Sequence, residues 1–284
     1  MKSVVTSKPK ACVIGWPVAH SRSPLIHNFW LDRLKIGGSY ERAAVSPADL
    51  PAFVHDLAQN GFVGGNITLP HKQIAFELCD IRTETAARLE AVNTLWIKAG
   101  KLYGDNTDAA GFLGALDQDA PGWDVGSGNV VVIGAGGAAR AIVHALLLRK
   151  LKRIFLVNRT KPRADELAAH FGPAIEVVDH SLLPEALGGA DLLVNTTSLG
   201  MQGQPPLAVD LAPLPASAVV SDIVYVPLET SLIRAAKARG LRAVGGLGML
   251  LHQAVPGFER WFGVKPSVTA ELRGLVEADI LAAL

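Results

Sequence analysis

The chain has 284 residues, 49% of them hydrophobic and 19% charged, with a formal net charge of +1. This is enough length and apolar material for two domains of ordinary size, and it excludes a disordered chain. With no basic run, two cysteines in apolar contexts (Cys12, Cys79) and histidines without ligand spacing, the sequence argues against a nucleic-acid partner, a disulfide framework and a bound metal.

Residues 1–10 are polar with no apolar segment after them, and no stretch is long and apolar enough to span a membrane, so a cytoplasmic location is expected. Residues 11–15 read as a short strand leading into Trp16, Pro17 and the polar run His20-Ser21-Arg22-Ser23. Ser23 before Pro24 is a helix start, a capping residue followed by proline at the first helical position. Leu25, Ile26, Phe29, Trp30 and Leu34 give that helix an apolar face. A strand over 40–45, a helix over 47–59, a strand over 64–69 and a helix opening at Pro70 follow. A hairpin over 92–103 turns at Ala99-Gly100. Residues 117–129, with Pro121 and several glycines, carry no period and read as a connection. Beyond it, strands fall near 130, 154, 175, 192, 219 and 242 with helices between them. After Val244 the run Gly245-Gly246-Leu247-Gly248-Met249-Leu250 opens a helix, and two more helical segments end the chain. This alternation predicts an α/β fold with largely parallel sheet and no internal repeat.

Within that frame, VVVIGAGGAAR at 130–140 fits a dinucleotide-binding turn. A strand runs into Gly134, Ala135, Gly136, Gly137, Ala138 and Ala139, and a helix follows through Leu148. The first glycine makes the turn, the second lets the backbone approach a pyrophosphate, and Ala139 lets helix and strand pack closely. The helix N-terminus offers N–H groups and a positive dipole end to phosphates. The next strand, RIFLV at 153–157, ends in Asn158, Arg159, Thr160 and Lys161, with Arg163 beyond. An NAD-selective site places an acid there for the ribose 2′-hydroxyl; donors and positive charge suit a 2′-phosphate, so NADP is expected. Lys161 and Arg163 also read as the opening of a solvated helix.

Four clusters put polar side chains at element ends. Ser21 and Ser23 at a helix N-terminus suit a carboxylate, although Ser23 alone would serve as a cap. Asn66 and Thr68 share a strand face, and Lys72 opens the next helix, where the dipole disfavours its ammonium and suits it to proton transfer. An exposed helix-start lysine is the plain alternative. Asn93-Thr94 sits among apolar residues. Gly104-Asp105-Asn106-Thr107-Asp108 reads either as an Asx-rich turn or as the source of an acid, Asp108, that pairs with Lys72.

Taken in order, SRSP at 21–24, GxNxTxPxK at 64–72, AVNT at 91–94, GDNTD at 104–108 and GAGGAAR at 134–140 closely resemble the shikimate dehydrogenase family. NRT at 158–160 with Arg163, NTTSLGM at 195–201, DIVY-P at 222–227 and GLGMLLHQA at 246–254 extend the resemblance over nearly the whole chain. Ala109 and Gly245 depart from the residues most frequent in relatives, and neither is a proposed catalytic group.

The resemblance implies reversible, NADP-dependent reduction of 3-dehydroshikimate to shikimate in aromatic amino-acid biosynthesis. Lys72 and Asp108 would form the catalytic pair. Ser21 and Ser23 would hold the substrate carboxylate with Tyr225 near it, and Thr68, Asn93, Asp108 and Gln253 the ring hydroxyls. Gly134, Ala135, Gly136, Gly137 and Ala138 would cradle the cofactor, with Asn158, Arg159, Thr160 and Arg163 at the 2′-phosphate. Thr196, Ile223, Gly246 and Met249 would complete that site. Two domains are implied: a substrate domain over 1–108 plus 247–284, and a Rossmann-like NADP domain over 109–246, with small molecules as partners and a homodimer compatible with the sequence. Three rival readings remain: a quinate/shikimate dehydrogenase of broader specificity, a methylene-tetrahydrofolate dehydrogenase type and a non-catalytic nucleotide-binding regulator. The serine pair and the NTD motif argue against the folate type. A regulator has no reason to keep Lys72, Asp108, Asn93 and both serines together.

Overall fold

The computed structural model describes residues 8–126 and 128–284, so most of the polar stretch 1–10 lies outside the described residues. The chain divides into two compact units, Met1–Thr107 with Gln253–Val276, and Asp108–His252 with Glu277–Leu284. These limits differ from those expected from sequence at Asp108, at 247–252 and at 277–284.

The first unit begins with β1 (Lys10–Gly15), α1 (Ser23–Arg33), β2 (Ser39–Ala44), α2 (Leu50–His55) and β3 (Phe62–Ile67). It continues with α3 (Lys72–Leu78), β4 (Ile81–Arg82), α4 (Glu84–Leu89), β5 (Thr94–Lys98) and β6 (Lys101–Asp105). Its sheet has the order β2-β1-β3-β5-β6-β4. β2, β1 and β3 run parallel, and β5 is antiparallel to both β3 and β6. The β5–β6 turn is made by Ala99 (φ 51°) and Gly100 (φ 73°), two left-handed residues whose twist matches that of the strands. Cys12, Ile14, Leu50, Val54, Leu57, Ile67 and Leu95 form one core. Burial pushes both thiols, Cys12 and Cys79, up to about 12, which makes them packing groups and not nucleophiles.

Three local expectations are corrected here. Arg22, not Ser23, occupies the cap position of α1; Ser23 is already helical, and its N–H donates to Ser21 Oγ at 3.3 Å. The supposed apolar stripe of α1 is interrupted, because Leu34 is exposed while His27 is buried. α2 is shorter than the 47–59 pattern suggests. Ser46 Oγ donates to Asp49 Oδ2 at 2.6 Å and folds the preceding residues into a turn, and Leu57 is buried from the irregular segment after the helix.

His27 is 0% exposed, stacked on Tyr40 with ring centroids 4.1 Å apart and packed against Trp30, Phe258 and Trp261. Neither ring nitrogen has a hydrogen-bond partner among the described residues. Burial pushes its pKa down to about 3, so the folded protein keeps the ring neutral. The unfolded chain binds a proton near pH 6.5 that the folded chain refuses. Stability attributable to this group is therefore complete above that pH and is lost as pH falls towards 3. Between about pH 6.5 and about pH 4.5 the expected loss is about 2 kcal/mol. Urea denaturation across that range checks it: His27→Phe should flatten the acid-side slope by nearly one proton, and an unchanged slope would refute the assignment.

The second unit opens with α5 (Asp108–Asp119), followed by β7 (Asn129–Ile133), α6 (Gly137–Leu148), β8 (Arg153–Val157), α7 (Lys161–Phe171) and β9 (Ile175–Val177). A short 3-10 turn leads to α8 (Leu183–Leu187), then β10 (Leu192–Asn195), β11 (Val219–Asp222), α9 (Ser231–Ala238) and β12 (Arg242–Val244). The sheet order is β12-β11-β10-β7-β8-β9 and every pair is parallel. The strands wind outward from β7 and β10 in the doubly wound Rossmann order; β7-α6-β8-α7-β9 is a βαβαβ half, whereas an irregular segment and not the expected helix joins β10 to β11. Val131, Ile133, Val157, Leu193 and Val220 build the core on one face with Leu183, Leu187, Leu232 and Ala236. α5 extends into the stretch expected to be a connection, and Arg149 anchors its end through Asp117 and, at 3.0 Å, the following loop through Asp124.

Two helices end the chain where three were expected: α10 (Leu247–Phe262) and α11 (Ala270–Ala282). α10 continues through Pro256. Its burial on both sides of the proline, at Leu251, Ala254, Phe258 and Trp261, outweighs the one lost backbone bond. No helix among the described residues is long and apolar enough to cross a membrane, and no cluster of His, Cys, Asp or Glu there could hold a metal ion.

Candidate functional site

In open parallel sheets ligands bind beyond the carboxyl ends of the strands, where the winding reverses. In the first unit that point lies between β1 and β3. The loop after β1 carries Ser21 and Ser23, and the loop after β3 carries Thr68 and Lys72. Trp16 N–H donates to Leu69 O at 3.2 Å and Thr68 N–H to Ile14 O at 2.9 Å, so the two loops are laced together. Gly15 is glycine because a Cβ there would lie 2.4 Å from Thr68 Cγ2. Arg42 on β2 holds the serine loop, with Nη2 2.7 Å from Ser21 O.

Lys72 is the first residue of α3, and its carbonyl accepts the N–H of Val92 at 2.9 Å. That bond sets Lys72 beside Asn93, whose carbonyl in turn accepts the N–H of Ile67 at 2.8 Å. His71, buried next to Lys72, has Nε2 2.8 Å from Val45 O and fixes the entry to the helix. Ser21, Ser23, Thr68, Lys72 and Asn93 therefore share one edge of the first unit. Gln253, on α10, belongs to the same unit, where its carbonyl accepts the Thr107 hydroxyl at 2.8 Å. Asp108 is the first residue of α5 and is grouped with the second unit, as are Tyr225 and all the expected cofactor residues.

In the second unit the reversal lies between β7 and β10. Gly134 has φ 111° and donates its N–H to Val157 O at 2.8 Å; a Cβ would lie 2.5 Å from Thr196 Oγ1. Thr196 is buried under the turn and donates its hydroxyl to Ile133 O at 2.9 Å. At Gly136 and Gly137, by contrast, a Cβ would meet nothing within 4 Å. Those two positions open onto free space at the N-terminus of α6, with Ala135 and Ala138 half-exposed alongside. A diphosphate fits such a cradle, taking helix-terminal N–H groups and the dipole. Ala139, fully buried, closes the helix onto the sheet.

A groove of about 670 Å³ extends from this turn along the ends of β8, β9 and β10. Gly134, Asn158 and Arg159 line it, facing an apolar side that includes Val177, Leu199 and Leu207. Asn158 ties the two turns, accepting the Ala135 N–H at 3.2 Å and donating to Thr160 O at 2.7 Å. Lys161 pairs with Asp165 one turn on at 2.7 Å, as expected of a solvated helix face. Arg159, Thr160 and Arg163 are exposed. Asp179, His180, Thr197 and Ser198 also line the groove and were not foreseen. The signal was available: they directly follow β9 and β10, whose positions the sequence shows.

At the end of β11, Asp222 is buried and accepts three bonds: from Asn195 Nδ2 at 2.9 Å, Val224 N–H at 3.1 Å and the Thr230 hydroxyl at 2.7 Å. Burial raises its carboxyl above the usual range. The cluster fixes the loop that carries Ile223 and Tyr225. Gly246 packs on that loop, since a Cβ there would lie 2.1 Å from Ile223 O, and Met249 follows half-buried at the opening of α10.

Comparison with known proteins agrees with both halves of this arrangement. Residues 13–95 match the shikimate dehydrogenase substrate binding domain family, 118–201 the shikimate / quinate 5-dehydrogenase family and 246–270 the shikimate 5'-dehydrogenase C-terminal domain. The chain is 63% identical over 276 residues to a protein of Methylocella silvestris named shikimate dehydrogenase (NADP(+)), covering 97% of this chain and 98% of that one. It is similar to the solved structure of Thermus thermophilus shikimate 5-dehydrogenase in complex with NADP(H) and shikimate. The TM-score is 0.83 at 36% identity, over 97% of this chain and 100% of the other. It is also similar to quinate dehydrogenase from Corynebacterium glutamicum in complex with NAD, with a TM-score of 0.87 at 32% identity over 95% and 99% of the two chains.

Proposed function

The chain belongs to the shikimate dehydrogenase family, and from that premise we infer that it is an NADP-dependent oxidoreductase interconverting 3-dehydroshikimate and shikimate. The observation that carries this reading is the shared edge of the first unit, where β1 and β3 deliver Ser21, Thr68 and Lys72 and the backbone of Lys72 fixes Asn93 beside it.

NADPH, held at the turn 134–138, would supply the hydride that reduces the ketone carbon. Ser21 and Ser23 hold the substrate carboxylate, with Tyr225 close to it, and Thr68, Asn93 and Gln253 hold the ring hydroxyls. Lys72 delivers a proton from Nζ to the ketone oxygen, so that the developing alkoxide becomes the product hydroxyl; its positive charge stabilises the same oxygen. Asp108, the other member of the catalytic pair, orients that ammonium and binds the same hydroxyl. Gly134 to Ala138, Thr196, Ile223, Gly246 and Met249 shape the cofactor site, and Arg159 with Asn158, Thr160 and Arg163 receives the 2′-phosphate. On this reading the enzyme acts on small molecules in aromatic amino-acid biosynthesis, and a cytoplasmic location is part of the same proposal.

Adding 3-dehydroshikimate to the protein and NADPH should consume reduced-nicotinamide absorbance in one-to-one proportion with shikimate formed. A folded sample that binds NADPH and shows no such loss would sink the reading.

A further inference from the structure

Beneath the substrate edge of the first unit, buried polar groups form one hydrogen-bonded run whose donors lead to the side-chain oxygen of Asn93. Tyr40 donates its hydroxyl to Asn66 Oδ1 at 2.6 Å. Asn66 Nδ2 then donates to Asn93 O at 3.2 Å and to Thr94 Oγ1 at 3.3 Å. Having accepted there, the Thr94 hydroxyl donates to Asn93 Oδ1 at 2.9 Å. Thr107 N–H donates to that same oxygen at 2.8 Å. A backbone N–H can only donate, so the atom it meets is the carboxamide oxygen and not the nitrogen. The Thr107 hydroxyl lies 2.8 Å from the carbonyl of Gln253, which can only accept, and 3.1 Å from Asn93 Oδ1. Thr107 is 2% exposed and is joined to a residue 146 positions along the chain.

We propose that Thr107 is a positioning residue of the active site. It fixes the Asn93 carboxamide with its oxygen inward, so that Asn93 meets the substrate hydroxyl as a donor through Nδ2. Its hydroxyl holds Gln253 at a set distance from Asn93. The proposal rests on the reading above, in which Asn93 and Gln253 hold the ring hydroxyls. Thr107 itself touches no substrate; its N–H acts through the Asn93 carboxamide and its hydroxyl through the backbone carbonyl of Gln253. Its physical content is that a carboxamide can present either end, and two inward donors, the Thr107 N–H and the Thr94 hydroxyl, leave one orientation.

Thr107→Val keeps size and the backbone N–H and removes only the hydroxyl. Steady-state kinetics should show KM for shikimate raised about fivefold, the factor one hydrogen bond of ordinary strength supplies, with KM for NADP⁺ unchanged. Thr107→Ser, which restores the hydroxyl, should return KM to near the parent value. In a Gln253→Ala background, Thr107→Val should add no further rise, since its effect passes through Gln253. Equal changes for both ligands, no change at all, or failure of serine to do better than valine would overturn the proposal. Thr107→Ala takes the place of valine if that variant does not fold. Asn93→Asp separates this proposal from the reading beneath it: the carboxylate still accepts the inward bonds but cannot donate to substrate. If Asn93→Asp leaves KM for shikimate unaltered, the substrate-site reading fails whatever Thr107 does.

Discussion

Lys72→Ala is expected to lower kcat for shikimate oxidation by about 10²–10⁴-fold, the range a positioned general acid–base group contributes. Lys72 opens α3, with its carbonyl on Val92 N–H and the buried His71 before it. A folded variant with unchanged affinity for NADP⁺ is the expected background, checked by its melting temperature. A kcat within about tenfold of the parent, from a folded protein, would remove Lys72 from the catalytic role even with the family assignment intact.

Arg159→Ala is expected to raise KM for NADP⁺ roughly 10- to 100-fold and to leave KM for NAD⁺ within a factor of about three. A charge-assisted, forked contact to a phosphate is worth about 1.5–3 kcal/mol. Three features support the role proposed for Arg159. It lines the groove at the end of β8, where an NAD-selective site places an acid. Lys161, the neighbouring cation, is already paired with Asp165. Asp179 lines the same groove, so removing Arg159 leaves a carboxylate among the lining residues without that guanidinium. Equal losses for the two cofactors would show that Arg159 only stacks or packs, and the phosphate reading would fall.

Much of this was legible in the sequence because it is carried by local pattern. The six strands of the second unit, the GAGGAA turn and the Ala99-Gly100 hairpin each announce themselves within a few residues. What was not legible depends on contacts made far along the chain. α1 buries His27 and exposes Leu34 because Tyr40, Phe258 and Trp261 come to that face, which no helical period encodes. Ser21 rather than Ser23 accepts the first helical N–H because the loop is held from outside by Arg42. α10 survives Pro256 because its apolar residues have partners on both sides of the break. Within the candidate site, Lys72, Asn93 and Arg159 were found by their place at element ends. Thr107 was passed over as a turn former, since its partner Gln253 lies at the other end of the sequence. The groove residues after β9 and β10 follow strands that the local pattern already marks, so their place was encoded in the sequence.

The account is tested most directly by initial rates with purified protein, pairing shikimate and quinate each with NADP⁺ and NAD⁺. Fast turnover is expected with shikimate and NADP⁺ and much slower rates with the other three pairs, as the roles proposed for the Ser21–Ser23 loop and Arg159 require. Comparable rates with quinate or with NAD⁺ would contradict it and assign the chain to the broader specificity represented by its quinate dehydrogenase neighbour.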